Sequence, residues 1–340
     1  MSNINRHHII DPALPWDFES VASRLYNCSL LRQVIKPQTL KLYSKAAAEF
    51  INWYKTTPGA YSSPNHFDVY LSTYLNSLFE SGLTHLTHAN NMVFGLMHIV
   101  PTLRQQLPIA RRCLKGWKKS RATQSWPPMS WELACMLAVQ LSSVGWMDEG
   151  VAVLIAYDGY FRISELLQCR IKDFLVWNLS NPPQYQLRLR DTKTGPNMLV
   201  TLTNPHLGNA LLSYIQTRFD LRGPDNRRIS RQRIFQINIR DYRRRFRTGC
   251  ELLGWESVGF VPHSLRHGHA SDDFIAGVPV ETIQFRGRWS LTESTKTYIQ
   301  NARVHLIRGR LNPILPSLPN YNVNTVLELM QQAYLNSLPQ

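Results

Sequence analysis

Apolar residues in this chain recur mostly at the spacing of a helix face, and strand-like alternation is confined to one short region around Gly195 and Pro196. That pattern points to a mainly α fold with a small antiparallel β-sheet. Over residues 37–55, Leu40, Tyr43, Ala47, Phe50, Ile51 and Tyr54 share one face behind Pro37 in the first turn. A loop of Pro, Gly and Ser follows at residues 57–65, and helical patterns return over residues 67–80, 84–100 and about 107–119. They read as a small four-helix domain. Its last helix runs into Arg111, Arg112, Lys115, Lys118, Lys119 and Arg121 before Trp126, Pro127 and Pro128 break the pattern, as in a basic interdomain linker.

Helical patterns resume over residues 130–141 and 148–160. Tyr185, Leu187 and Leu189 then alternate as a strand, a second strand fits residues 198–202, and the turn between them displays Lys193. A long helix is expected over residues 231–253, with Phe235, Ile239, Tyr242, Phe246 and Cys250 on one stripe and Arg231, Arg233, Arg240, Arg244 and Arg247 mostly elsewhere. Pro313, Pro316 and Pro319 space a last apolar face of Val323, Val326, Leu327, Met330, Tyr334 and Leu338, which packs on its own domain or docks on a neighbouring subunit.

Charge narrows the partners. The 340 residues carry 38 Lys plus Arg against 23 Asp plus Glu, a formal net charge of +15, and residues 218–247 alone hold eleven Arg against three Asp. A solvated helix face is the ordinary reading of a charged run; the imbalance favours an anion-binding face, and nucleic acid is the commonest polyanionic partner. Candidate DNA contacts are therefore Arg240, Arg243, Arg244 and Arg247, together with the basic residues from Arg111 to Arg121. The five cysteines, Cys28, Cys113, Cys135, Cys169 and Cys250, form no C-x-x-C pair, which argues against a disulfide framework and a zinc module and fits a reducing compartment. Neither a P-loop nor a G-x-G-x-x-G occurs, so a nucleotide-hydrolysing motor is disfavoured. The polar residues 1–11 and the short apolar stretch at residues 150–157 suggest neither a signal peptide nor a membrane span, so a soluble, intracellular protein is expected.

Three clusters could carry chemistry. Arg162 and Glu165 stand three apart in Phe161–Leu167, a spacing that also describes an ordinary surface ion pair. His263-Ser264-Leu265-Arg266-His267-Gly268-His269 follows Pro262, and Trp289 precedes Tyr298 by nine residues. Taken singly, Tyr298 and Trp289 read as packing residues, Lys193 has Lys172 and Arg190 as nearby competitors, and His263 with His267 suggests a metal pair. No H-E-x-x-H or carboxylate set completes such a site, and neither metal nor cofactor is expected.

Taken in order, Arg162, Glu165, Lys193, His263-x-x-Arg266, Trp289 and Tyr298 resemble the boxes of the tyrosine recombinases, the phage integrase family, over about residues 129–310. Trp289 stands where that family more often has His. The resemblance implies a two-domain clamp around duplex DNA: a polar tail (1–30), a helical core-binding domain (31–122), an α+β catalytic domain (123–312) and a C-terminal helix (313–340) available for subunit exchange. It implies a dimer on each site and a tetramer in synapsis. Tyr298 would form a 3′-phosphotyrosyl bond, Arg162 and Arg266 would clamp the phosphate, and Lys193 would protonate the leaving 5′ oxygen. His263 would bond the phosphate or manage the tyrosine proton, Trp289 would donate its N–H or pack, and Glu165 would orient its basic neighbours.

The chemistry of the residues agrees, because metal-free phosphodiester cleavage requires a nucleophile, a proton donor and fixed cations. A free phenol titrates at roughly 10, so nearby cations must favour its deprotonation in the transition state. Competing readings are a recombinase-derived DNA-binding protein that does not cut, a metal-dependent nuclease, and a type IB topoisomerase-like enzyme. The compartment depends on the host: nucleus if eukaryotic, cytoplasm or nucleoid if bacterial.

Overall fold

The computed structural model describes residues 30, 34–58, 66–120, 125–179, 181–192, 195–219, 226–311 and 322–338. Two compact units divide the chain, Met1–Gln124 and Ser125–Gln340.

In the first unit the helices are α1 (Pro37–Thr56), α2 (Phe67–Ser81), α3 (Leu86–Ile99), the short α4 (Leu103–Gln106) and α5 (Pro108–Ser120). The four helical patterns are all present, with one added turn between the third and fourth. α1 packs on α3 and α2 on α5, around a core in which Phe50 meets Phe67 edge-on with ring centroids 5.3 Å apart. Pro108 opens α5, and the next two N–H groups, which no helical carbonyl can reach, donate to the Asp68 carboxylate at 2.7 Å from Ile109 and 2.9 Å from Ala110. α5 buries Ala110, Leu114 and Trp117 at positions i, i+4 and i+7. That stripe turns Arg111, Arg112, Lys115, Lys118 and Lys119 to solvent; Arg121 lies outside the described residues.

The second unit begins with α6 (Trp131–Ser143), α7 (Met147–Asp158), the single turn α8 (Ile163–Leu166) and a 3₁₀ turn (Ile171–Asp173). Strands β1 (Phe174–Trp177), β2 (Gln184–Thr192) and β3 (Gly195–Thr201) form an antiparallel sheet in the order β1-β2-β3. Next come α9 (Pro205–Arg218), α10 (Asn226–Ile229), α11 (Ile239–Leu252), α12 (Pro262–Ile275), α13 (Val280–Gly287), α14 (Thr292–Tyr298), α15 (Asn301–Leu311) and α16 (Val323–Ser337).

β2 alternates as its sequence demands, with Tyr185, Leu187 and Leu189 buried and Gln186, Arg188 and Arg190 on the other side. Leu187 pairs with Val200 and Thr192 with Gly195, and the Gly195 N–H donates to Thr192 Oγ1 at 3.1 Å. Lys193, between these two strand ends, lies outside the described residues. β1 is an addition to the expected hairpin: Phe174-Leu175-Val176-Trp177 is a continuous apolar run, which periodicity alone does not identify as a strand.

The expected helix over residues 231–253 is corrected. It begins eight residues later, where the Asn238 side chain accepts the Asp241 N–H at 2.9 Å and caps α11. Arg231 and Arg233 precede it, and Arg233 forms a β-bridge with Arg170. At the C-terminal end α16 packs on α6 and buries Val323, Val326 and Met330; Pro313, Pro316 and Pro319 lie outside the described residues. Among the described residues no helix is long and apolar enough to cross a membrane. The architecture is mainly helical with one small antiparallel sheet.

Candidate active site

Four elements of the second unit, α8, α12, α13 and α14, bring the described candidate residues together. Arg162 occupies the N-cap of α8 in an extended conformation, and the single turn places Glu165 Oε1 2.8 Å from Arg162 Nη1. α12 opens with Pro262 in its first turn, where no N–H is needed, so His263 and Arg266 project from its N-terminal end. The chain at Met129 crosses this helix at Gly268, where a Cβ would come within 1.5 Å of the Met129 carbonyl oxygen. Trp289 follows α13, and Tyr298 is the last residue of α14.

His263 Nε2 and Tyr298 Oη are 2.9 Å apart. The Tyr298 ring stacks on His267 with centroids 4.4 Å apart and packs against Trp289 at 4.3 Å. Gly287 allows Trp289 this position, since a Cβ there would fall 2.1 Å from the indole. The Trp289 Nε1 is buried without a hydrogen-bond partner among the described residues, so in this structure Trp289 packs the site. Arg266 is fully buried, with its guanidinium 4.8 Å from the Trp289 ring and 5.4 Å from the Tyr298 ring. Its Nη1 donates to the Tyr160 carbonyl at 2.6 Å, and its Nη2 donates to the Gly287 carbonyl.

Electrostatics sets the protonation states. Burial, reinforced by Arg266 and Arg162, pushes His263 down to about 4, and burial with His263 does the same to His267, also to about 4. Both imidazoles are neutral at neutral pH, and His263 can accept a proton. Burial and the nearby Arg288 and Arg162 lower Arg266 as well, but a guanidinium starts high enough to remain a cation.

His263 and His267 do not face a common point as metal ligands would. One engages Tyr298, and His267 Nδ1 lies 2.9 Å from the Gln300 amide nitrogen. His269 is turned to the Tyr157 carbonyl at 2.7 Å and to Asp273 at 3.5 Å. Among the described residues no group of three or more His, Cys, Asp or Glu could hold a metal ion.

An open groove of about 1210 Å³ runs from Arg162, Ser164 and His263 to Arg240, Arg243, Arg244 and Arg247 of α11. Among the described residues Arg244 and Arg247 pair with helix-local carboxylates, Asp241 at 3.1 Å and Glu251 at 3.8 Å. Arg245 turns away to the buried Glu149 at 2.6 Å. Of the competitors for the Lys193 role, Lys172 is exposed, and Arg190 forks onto the buried Asp173 carboxylate at 2.6 and 2.9 Å. Sequence reasoning missed Arg288, whose Nη2 lies 3.2 Å from Glu165 Oε2.

Solved structures share this fold. The Tn1549 transposon integrase in complex with circular intermediate DNA matches at TM-score 0.56 and 16% identity, covering 85% of this chain and 98% of the other. The XerH site-specific recombinase bound to palindromic difH substrate, a post-cleavage complex, matches at TM-score 0.55 and 14% identity, covering 86% and 83%. A search of curated proteins finds no match. The Phage integrase family matches residues 136–305, half of the 340 residues, and spans every element that supplies the site. The chain belongs to the phage integrase family.

Proposed function

We propose that this protein is a site-specific DNA recombinase that breaks and rejoins strands through a 3′-phosphotyrosyl intermediate on Tyr298. The observation that carries the reading is the 2.9 Å contact between His263 Nε2 and Tyr298 Oη, beside Arg162 and over Arg266. A bond forms from Tyr298 Oη to phosphorus while the bond from phosphorus to the 5′ oxygen breaks. The phenol proton passes to the neutral His263, and Lys193 supplies the proton for the departing oxygen. Attack by a 5′-hydroxyl of another strand on the phosphotyrosyl bond reverses these transfers, and because that bond conserves the phosphodiester's energy, rejoining needs no nucleotide hydrolysis.

Arg162 and Arg266 stabilise the charge on the non-bridging oxygens. Direct contact with Arg266 requires the Tyr298 ring to move off its guanidinium. Glu165 orients Arg162, and Trp289 packs the nucleophile. The basic faces of α5 and α11 bind the DNA backbone. The circular intermediate DNA bound by the Tn1549 integrase and the palindromic difH substrate bound by XerH support a DNA partner, proposed to be double-stranded. The working assembly is a dimer on each site and a tetramer in synapsis, in which α16, seated on α6 of its own chain in this structure, would take the same seat on a neighbouring subunit.

The test uses supercoiled DNA libraries carrying sequence from the native locus, with EDTA and no ATP. Joint products between two sites are expected. Relaxed circles from single duplexes without joint products would assign a topoisomerase-like activity instead, and cleavage abolished by EDTA would assign a metal-dependent nuclease.

A further inference from the structure

Arg288 caps α13 in the left-handed region at φ 55°. Glycine is the ordinary residue at such a cap because it adopts this conformation without strain. The side chain of the arginine found here is only 4% exposed and points beneath the site. Its Nη2 lies 3.2 Å from Glu165 Oε2 and 3.0 Å from the Tyr160 carbonyl, its Nη1 lies 3.3 Å from the Gly159 carbonyl, and its guanidinium sits 5.6 Å from the Phe161 ring centroid.

Two of these acceptors are shared with the candidate phosphate clamp. The other oxygen of Glu165 receives Arg162 at 2.8 Å, and the Tyr160 carbonyl also receives Arg266 at 2.6 Å. Tyr160 is itself left-handed, at φ 49°. Arg288 thus touches both the carboxylate that holds one clamp arginine and the carbonyl that holds the other. Two guanidiniums, Arg162 and Arg288, share the single carboxylate of Glu165, and Arg266 adds a third cation held by carbonyls, an excess of positive charge that a bound phosphate would relieve.

We propose that Arg288 is a positioning residue that sets the spacing of Arg162 and Arg266 for one phosphodiester. The inference takes its substrate from the recombinase reading and its geometry from the structure. Arg288 touches no reacting group; it acts through Glu165 and the Tyr160 carbonyl.

Arg288→Gly, which the backbone accepts, and Arg288→Lys test it. In Arg288→Gly, strand cleavage at saturating DNA should fall on the order of 100-fold, the scale of a small misplacement of catalytic groups, with little change in DNA affinity. Arg288→Lys should restore part of the rate. Adding Glu165→Gln to Arg288→Gly should cost little more than Arg288→Gly alone, because the two side chains act as one unit. A folded Arg288→Gly that cleaves at the wild-type rate, or losses that simply multiply, would overturn the proposal; if Arg288→Gly fails to fold, Arg288→Lys carries the same rate and coupling comparisons. Should the wild type form no covalent adduct, the recombinase reading fails separately, and inorganic phosphate decides on Arg288. Phosphate is expected to raise the Tm of wild type and Arg288→Lys more than that of Arg288→Gly, and equal shifts would refute the positioning role.

Discussion

Positive charge takes two forms in this molecule. Arg245 apart, the cations of α5 and α11 stand in solvent on helices whose opposite stripes are buried: Ala110, Leu114 and Trp117 in one, Tyr242, Phe246 and Cys250 in the other. At the candidate site Arg266 and Arg288 are buried, and their Nη groups are engaged by carbonyls and by Glu165. Exposed cations cost little to keep and act at a distance, so they suit a backbone of phosphates and lose effect as salt rises. Buried cations are costly and cannot relax, so they suit one charge at one place. On the proposed function this difference separates affinity from chemistry, and each kind should fail in its own assay.

The largest effect is expected at the buried end. Arg266→Ala should lower covalent-adduct formation by on the order of 10²–10³ at saturating DNA, while the salt dependence of binding stays near that of wild type; a variant that lost affinity alone would merge the two classes. His263→Gln should slow cleavage by on the order of 10² and change its pH profile. Because burial holds the folded imidazole at about 4 instead of 6.5, the wild-type rate should not respond to this group near neutrality and should fall as pH drops through about 4. The same shift bears on stability. The unfolded chain takes up these protons near 6.5, so the contribution of neutral His263 and His267 is present above that value and is lost as pH falls from 6.5 toward 4. Urea titrations of wild type and His263→Gln across that window read it, with a shallower loss expected in the variant.

Smaller effects belong to the surface. Arg243→Ala on α11 should weaken DNA binding and reduce the salt slope by about one. Lys115→Ala on α5 should reduce the slope by a similar amount and weaken binding about equally across DNA sequences. Binding isotherms at several salt concentrations check both, and a Lys115→Ala effect confined to one sequence would give α5 a role in base reading.

What could be read in the sequence was local or ordered along the chain. The alternation of Tyr185, Leu187 and Leu189 marks β2 without any partner, and the order from Arg162 to Tyr298 includes His263, Arg266 and Trp289, which the structure places against Tyr298. What could not be read depends on contacts between distant segments. Arg288 meets Glu165 and Tyr160 across more than 120 residues, and nothing next to it in sequence announces its left-handed backbone. The burial of Arg266 under Trp289 and Tyr298 is likewise a product of packing. β1 escaped because four consecutive apolar residues carry no period. The start of α11 was misplaced because Phe235 falls on the helical stripe although Asn238 begins the helix.

The most direct measurement of the central claim is to incubate wild type and Tyr298→Phe with native-locus DNA in EDTA without ATP, denature the mixture, and map any DNA-linked peptide by mass spectrometry. A wild-type adduct through the 3′ phosphate on the peptide that carries Tyr298 is expected, and none from Tyr298→Phe. An adduct of equal yield from both proteins, or one mapped to another residue, would contradict it.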